Sequence, residues 1–162
     1  MSIDIFSQNP IDIVEDVIHN KNWNFSRSDA HELVADIYTN MCQYRLYFNW
    51  SESLKSINFT VTFDIKFPPN KHSDIYELLA KINEKLWIGH FDITSKSGIL
   101  AYRQTFFLPH ENDMLFNQLE DLVDISIYEC EKYYPAFNIL FFEDTSPGDA
   151  LELCSTDIIG RA

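Results

Sequence analysis

Histidine followed directly by glutamate occurs twice in this chain, at His31-Glu32 and His110-Glu111. A zinc-binding helix of the HExxH kind needs a second imidazole at i+4, so that two ring nitrogens converge on one face with the glutamate as base. Ala35 and Met114 stand at those places, and metalloprotease chemistry is excluded on spacing. The remaining His and Cys residues are scattered singly, so no bound metal is expected. Glycine occurs only at 89, 98, 148 and 160, which cannot build a GxGxxG turn or a Walker loop. Both need main-chain amides packed closely around phosphate. No GxSxG elbow is present, and Cys130 falls in the apolar stripe of a helical pattern, the place of a core thiol. The adjacent carboxylates Glu15-Asp16, Glu120-Asp121 and Glu143-Asp144 diverge on a helix, whereas glycosidase-type acid and base work needs two carboxyls facing one pocket. The expectation is a protein with no catalytic residues, no cofactor and no enzyme activity.

Charge narrows the partners. Twelve basic against twenty-five acidic side chains give a net charge of −13, which repels phosphate backbones and disfavours nucleic acid. The imbalance is uneven: residues 1–110 hold ten basic and thirteen acidic side chains (−3), and 111–162 hold two and twelve (−10). The C-terminal third is therefore an acidic surface, either a solubilising helix face or a docking site for a basic partner. No run of about 18 apolar residues is available to span a bilayer, and the opening MSIDIFSQNP lacks the basic and apolar regions of an export signal. A soluble cytoplasmic protein with free cysteines is expected, without membrane or nucleic-acid partners. A length of 162 residues with 46% hydrophobic content suits a single domain spanning 1–162.

The elements that must position any site follow from periodicity. Asn9-Pro10 caps a helix whose stripe is Ile11, Val14, Val17 and Ile18, ending near Asn22. Period-two alternation then marks three strands, Leu33–Tyr38, Tyr44–Trp50 and Ile57–Phe67. In the last of these Ile57, Phe59, Val61, Phe63 and Ile65 alternate with Asn58, Thr60, Thr62 and Asp64. One wholly polar face identifies an antiparallel sheet with a solvated side. After Pro68-Pro69 a helix is expected over Lys71–Ile88 with Gly89 as its cap, then a hairpin of His90–Ser95 and Ile99–Leu108 turning at Gly98. A long helix from Asp113 to Tyr134 should break or kink at Pro135; Phe137–Phe142 is ambiguous and leans helical. Ser146-Pro147 opens a short C-terminal helix. The expected fold is α+β: a five-stranded antiparallel sheet in the order α-βββ-α-ββ-α plus that last helix, with the helices mainly on the face of Phe59, Val61 and Phe63.

Two segments carry more aromatic and polar chemistry than packing requires. Trp87-Ile88-Gly89-His90-Phe91-Asp92 joins a helix end to a strand. It reads as a packed corner, with His90 satisfied by Asp92 or a carbonyl, in preference to a ligand site. Glu129 to Phe137, including Tyr134-Pro135, is an aromatic cluster at a helix break, core if covered and interface if exposed. With Gly98, Tyr102-Arg103, Ser146-Pro147, the Asn9-Pro10 helix and the Phe63–Pro68 strand end, these segments resemble the YbjN-domain family of bacteria over nearly the whole chain. The resemblance implies a sensory-transduction regulator with a fold like that of type III secretion chaperones and a homodimeric state. It supplies no catalytic residues, and Trp87, Gly89, His90, Phe91, Asp92, Arg103, Tyr134 and Pro135 are taken as a structural motif.

The resulting expectation is a non-enzymatic protein-binding module, regulatory or chaperone-like. The candidate partner-binding residues are Arg45, Tyr47, Thr60 and Thr62 on the solvated strands and Glu120, Asp121 and Asp124 on the long helix. The alternatives are a small-molecule sensor with an internal cavity and a carboxylate-based hydrolase.

Overall fold

The Asn9 side chain accepts from the Ile11 N–H at 2.9 Å, and Pro10 takes the first helical position, so α1 starts where the cap chemistry puts it and spans Pro10–Asn20. In this computed structural model, which describes residues 9–108 and 115–159 (the last four as backbone only), the order continues in chain sequence. Next come β1 (Asn24–Arg27), β2 (Glu32–Tyr38), β3 (Gln43–Ser51) and β4 (Ser56–Lys66). They are followed by α2 (His72–Asn83), β5 (His90–Ile93), β6 (Ile99–Phe107), α3 (Leu115–Phe142) and α4 (Pro147–Ile159). The expected helix start at Asp113, together with His110, Glu111 and Met114, lies outside the described residues.

The sheet has six strands, not five, in the order β1-β2-β3-β4-β6-β5, every neighbour antiparallel. The additional strand, β1, is the four-residue segment Asn-Phe-Ser-Arg. Four residues are too few for alternation to register, and β1 exists because β2 offers it a ladder from Arg27↔Leu33 to Asn24↔Asp36. On one face Leu46, Phe48, Phe59, Val61, Phe91 and Tyr102 are fully buried, and the helices lie on that side. Burying each such ring or aliphatic chain contributes about 1.5–3 kcal/mol, which is why the register cannot slip by one residue. α1 covers β2 and β3, α2 lies at β5, α3 crosses β4, and α4 rests on α3 and α2.

Two boundaries depart from expectation. α2 ends at Asn83, not near Ile88, because the Asn83 side chain leaves helical service to bond the main chain of Phe91. Gly89 therefore caps no helix. It sits at φ +69°, where a Cβ would fall 2.3 Å from the Tyr102 hydroxyl that donates to Ile88 O. α3 passes through Pro135 and continues to Phe142. A helix-interior proline costs about 3 kcal/mol, and the buried Tyr133, Ala136, Phe137 and Leu140 around it offset that loss. The C-terminal end of α3 has no Lys or Arg of its own; Lys71 Nζ donates to Leu140 O, Phe141 O and Glu143 O at 2.7, 2.9 and 3.3 Å. That cation satisfies carbonyls which a helix end leaves open.

Candidate functional site

Because strand side chains alternate, every second position of each strand lies on the face away from the helices. Antiparallel register aligns them in two adjacent rows. One row runs Asn24, Asp36, Arg45, Thr62, Ala101, Asp92, and the next runs Ser26, Val34, Tyr47, Thr60, Arg103, His90. The four strand residues expected to bind a partner are thus two directly opposed pairs, Arg45↔Thr62 and Tyr47↔Thr60. Register also brings His90, Asp92 and Arg103, taken from sequence as part of a structural corner, onto the same face.

Two arginine–aspartate pairs frame this face. Arg45 donates to both carboxylate oxygens of Asp36, at 2.8 and 3.3 Å. The hydrogen bond and charge of Asp36, then Tyr47, hold the Arg45 pKa above its ordinary value. Arg103 Nε lies 3.5 Å from Asp92 Oδ2, an ion pair without a hydrogen bond. Asp92 is therefore the partner of Arg103, not of His90, and His90 is exposed. Between the pairs Thr62 donates to Arg45 O; one row beyond Tyr47, Thr60 and Arg103, Asn58 donates to Thr105 across β4 and β6. Thr60 is 8% exposed, which corrects the expectation of a solvated side chain there: flanked by the larger Tyr47 and Arg103, it forms with Ala101, 1% exposed, the floor above which Arg45, Tyr47 and Arg103 stand. The β4–β6 register shifts between Thr62 and Lys66. Beside that irregularity is an open depression of about 300 Å³ lined by Gln43, Arg45, Tyr47, Thr62, Phe63, Asp64 and Ile99.

The acidic candidates lie elsewhere. Glu120, Asp121 and Asp124 are on α3 in the helical layer, opposite the Arg45 face, so the two expected sets do not form one surface. Asp124 is engaged by Lys21 at 2.6 Å and ties α3 to the end of α1. Asp121 is exposed and Glu120 half-buried. Of the remaining motif residues, Phe91 is buried and Tyr134 stacks on Phe63 with ring centroids 6.5 Å apart. Trp87 is 100% exposed, which corrects the expectation of a packed corner. The turn around it is held by the Gly89–Tyr102 approach and by Asn83, leaving the indole no wall to lie on.

Two of the thiols, Cys42 and Cys130, are poor nucleophiles. Cys42 donates to Asp64 Oδ1 at 2.8 Å, and burial followed by that hydrogen bond pushes its pKa up to about 12. Burial likewise drives Cys130 well above its ordinary value. Thiolate is the reactive form, so neither is activated near neutral pH. The Tyr44 hydroxyl is buried without a hydrogen bond, and burial, then Glu131, raises its pKa. Among the described residues no three His, Cys, Asp or Glu side chains gather as metal ligands, and no helix is long and apolar enough to cross a membrane. Sequence reasoning missed Asp36 and Ala101 on the outer face. Their parity was legible, but their neighbours depend on register.

No curated protein matches the sequence. Three chains of solved structures match. One is the crystal structure of YbjN from E. coli, titled "a putative transcription regulator", with 12% identity, TM-score 0.49, and coverage of 76% of this chain and 92% of that one. The family model YbjN, described as "Putative bacterial sensory transduction regulator", matches residues 10–138. That span takes in every strand of the sheet and most of α3, and the chain belongs to the YbjN family.

Proposed function

We propose that this chain is a regulatory module that acts by binding another protein, in a chaperone-like or adaptor manner, and not by catalysis. One observation carries the reading: a six-stranded sheet face that no described helix covers, with Tyr47 and Thr60 between the Arg45–Asp36 and Arg103–Asp92 pairs. A flat face with directed donors and the aromatic rings of Tyr47, Tyr38 and Phe107 suits contact with a polypeptide, since Tyr and Arg supply area and hydrogen bonds at modest entropy cost. The pre-paired arginines are held in place before a partner arrives, which lowers the ordering cost of association. The family description as a regulator supports the same reading.

The test is affinity capture from native cell extract with wild type, with Arg45→Ala combined with Tyr47→Ala, and with Asp121→Lys. Loss of a reproducible partner with the first variant, fold intact by circular dichroism, is the expected result. An unchanged partner set overturns the outer-face reading. The proposal includes a homodimer, for which the exposed Trp87 offers an anchor. Light scattering at the 19.0 kDa mass of one chain would remove that part.

A further inference from the structure

The two edges of the sheet are not equivalent. At the β5 edge the Thr94 N–H donates to Ile99 O at 3.1 Å, and ladder alternation then directs the main-chain groups of Phe91 and Ile93 away from β6. They do not meet solvent bare. Asn83 donates to Phe91 O at 2.9 Å and accepts from Phe91 N–H at 2.7 Å, while Asp92 Oδ1 accepts from Ile93 N–H at 2.8 Å. This edge is closed to strand addition.

At the β1 edge the parity is set from the other side. Trp50 N–H donates to His31 O at 2.8 Å and Thr39 N–H to Cys42 O at 3.0 Å, so odd residues of β2 bond to β3 and even ones to β1. Asn24 and Ser26 are therefore the bonded residues of β1, and Phe25 and Arg27 turn N–H and C=O outward. No described residue bonds them. Beside this edge runs the α1 ridge of Asp12, Glu15 and Asp16, three carboxylates against the single guanidinium of Arg27. Arg27 donates to Asp12 at 2.6 Å and to Glu15 at 3.0 Å, which places the ridge along β1; Asp16 is exposed.

We propose that β1 is a docking edge for an extended, basic segment of a partner protein, which adds as a seventh strand through the main chain of Phe25 and Arg27. Residues of the incoming strand opposite Phe25 and Arg27 fall on the helix side of the sheet, beside Asp12, Glu15 and Asp16. Lysine or arginine at every second position is the matching pattern. A second copy would set its own Asp16 ridge against the first, which the charge disfavours. The edge lies on a different surface from the Arg45 face, so this inference goes beyond that reading and stands without it.

The probe is a short capped peptide alternating lysine and valine, with a glutamate–valine peptide as its counterpart. The readout is amide hydrogen exchange of the full chain followed by NMR. The lysine peptide is expected to slow exchange at Phe25 and Arg27 by about tenfold or more and to leave Asn24 and Ser26 unchanged, with the effect lost at high salt. Phe25→Pro removes an outward N–H without touching the β2 ladder and should abolish the protection. Asp16→Lys, an exposed change that leaves the Arg27 contacts in place, should weaken binding with the fold unaltered, so the proposal stays testable if the proline variant fails to fold. Equal binding of both peptides, protection at another edge, or protection of Phe25 and Arg27 before any peptide is added would each overturn it.

Discussion

Phe137, two residues beyond the helix-interior Pro135, meets Phe91 of β5 with ring centroids 5.1 Å apart and Phe63 of β4 at 5.7 Å. This contact explains why α3 does not stop where its sequence says it should. Proline removes one helical hydrogen bond and crowds the carbonyl of Glu131, yet ending the helix there would pull Phe137 and Leu140 out of the core. Replacing Pro135 by Ala should therefore stabilise the protein, by about 1–3 kcal/mol, and Phe137→Ala should destabilise it by about 3–5 kcal/mol. Urea unfolding measures both. A destabilised Pro135→Ala would mean that the proline geometry itself is required for packing.

Cys42 gives a pH signature. Its pKa rises from an unfolded value near 9 to about 12 on folding, so the protonated thiol is the form the native state favours. The associated stability is complete below pH 9 and is lost as pH climbs from 9 to about 12. Buried Tyr44 and Tyr102 act in the same direction at high pH, so the informative quantity is the difference between wild type and Cys42→Ser. The serine variant should lose less stability across that window, and native Cys42 should react slowly with iodoacetamide at pH 8. Parallel pH curves for the two proteins would exclude the assignment.

The Asn83 carboxamide acts as a neighbouring peptide unit for Phe91. Asn83→Ala should cost about 1–3 kcal/mol, because a buried donor and acceptor lose their partners together. It should also open the β5 edge and raise the tendency to associate. Thermal unfolding reads the first effect and sedimentation the second. Asn83→Asp retains the acceptor for Phe91 N–H and should recover part of the stability; no recovery would show that the helix end, not the strand edge, is what Asn83 serves.

Long periodic segments were legible without the structure. The five alternating pairs from Ile57 to Lys66 dictate a one-faced antiparallel strand, since any other conformation exposes several rings at once. The Asn9-Pro10 and Ser146-Pro147 starts were equally legible, because capping is a contact between residues two or three apart. Short or shared elements were not. β1 holds four residues and owes its existence to β2, while the end of α2 is decided by a bond from Asn83 to a residue eight positions away.

On the long strands the sequence alone determined which side chains share the outer face, because that depends only on a period of two along the chain; that Thr60 on that face is buried it did not determine. It could not determine which of them are neighbours across strands. That Tyr47 and Thr60 lie beside Arg103 and His90, that Asp92 serves Arg103 and not His90, and that the acidic helix lies opposite the arginines all follow from register and layer order. Those are set by burial of Phe59, Val61, Phe91 and Phe137 in one core, a sum of contacts between distant segments that no local pattern encodes.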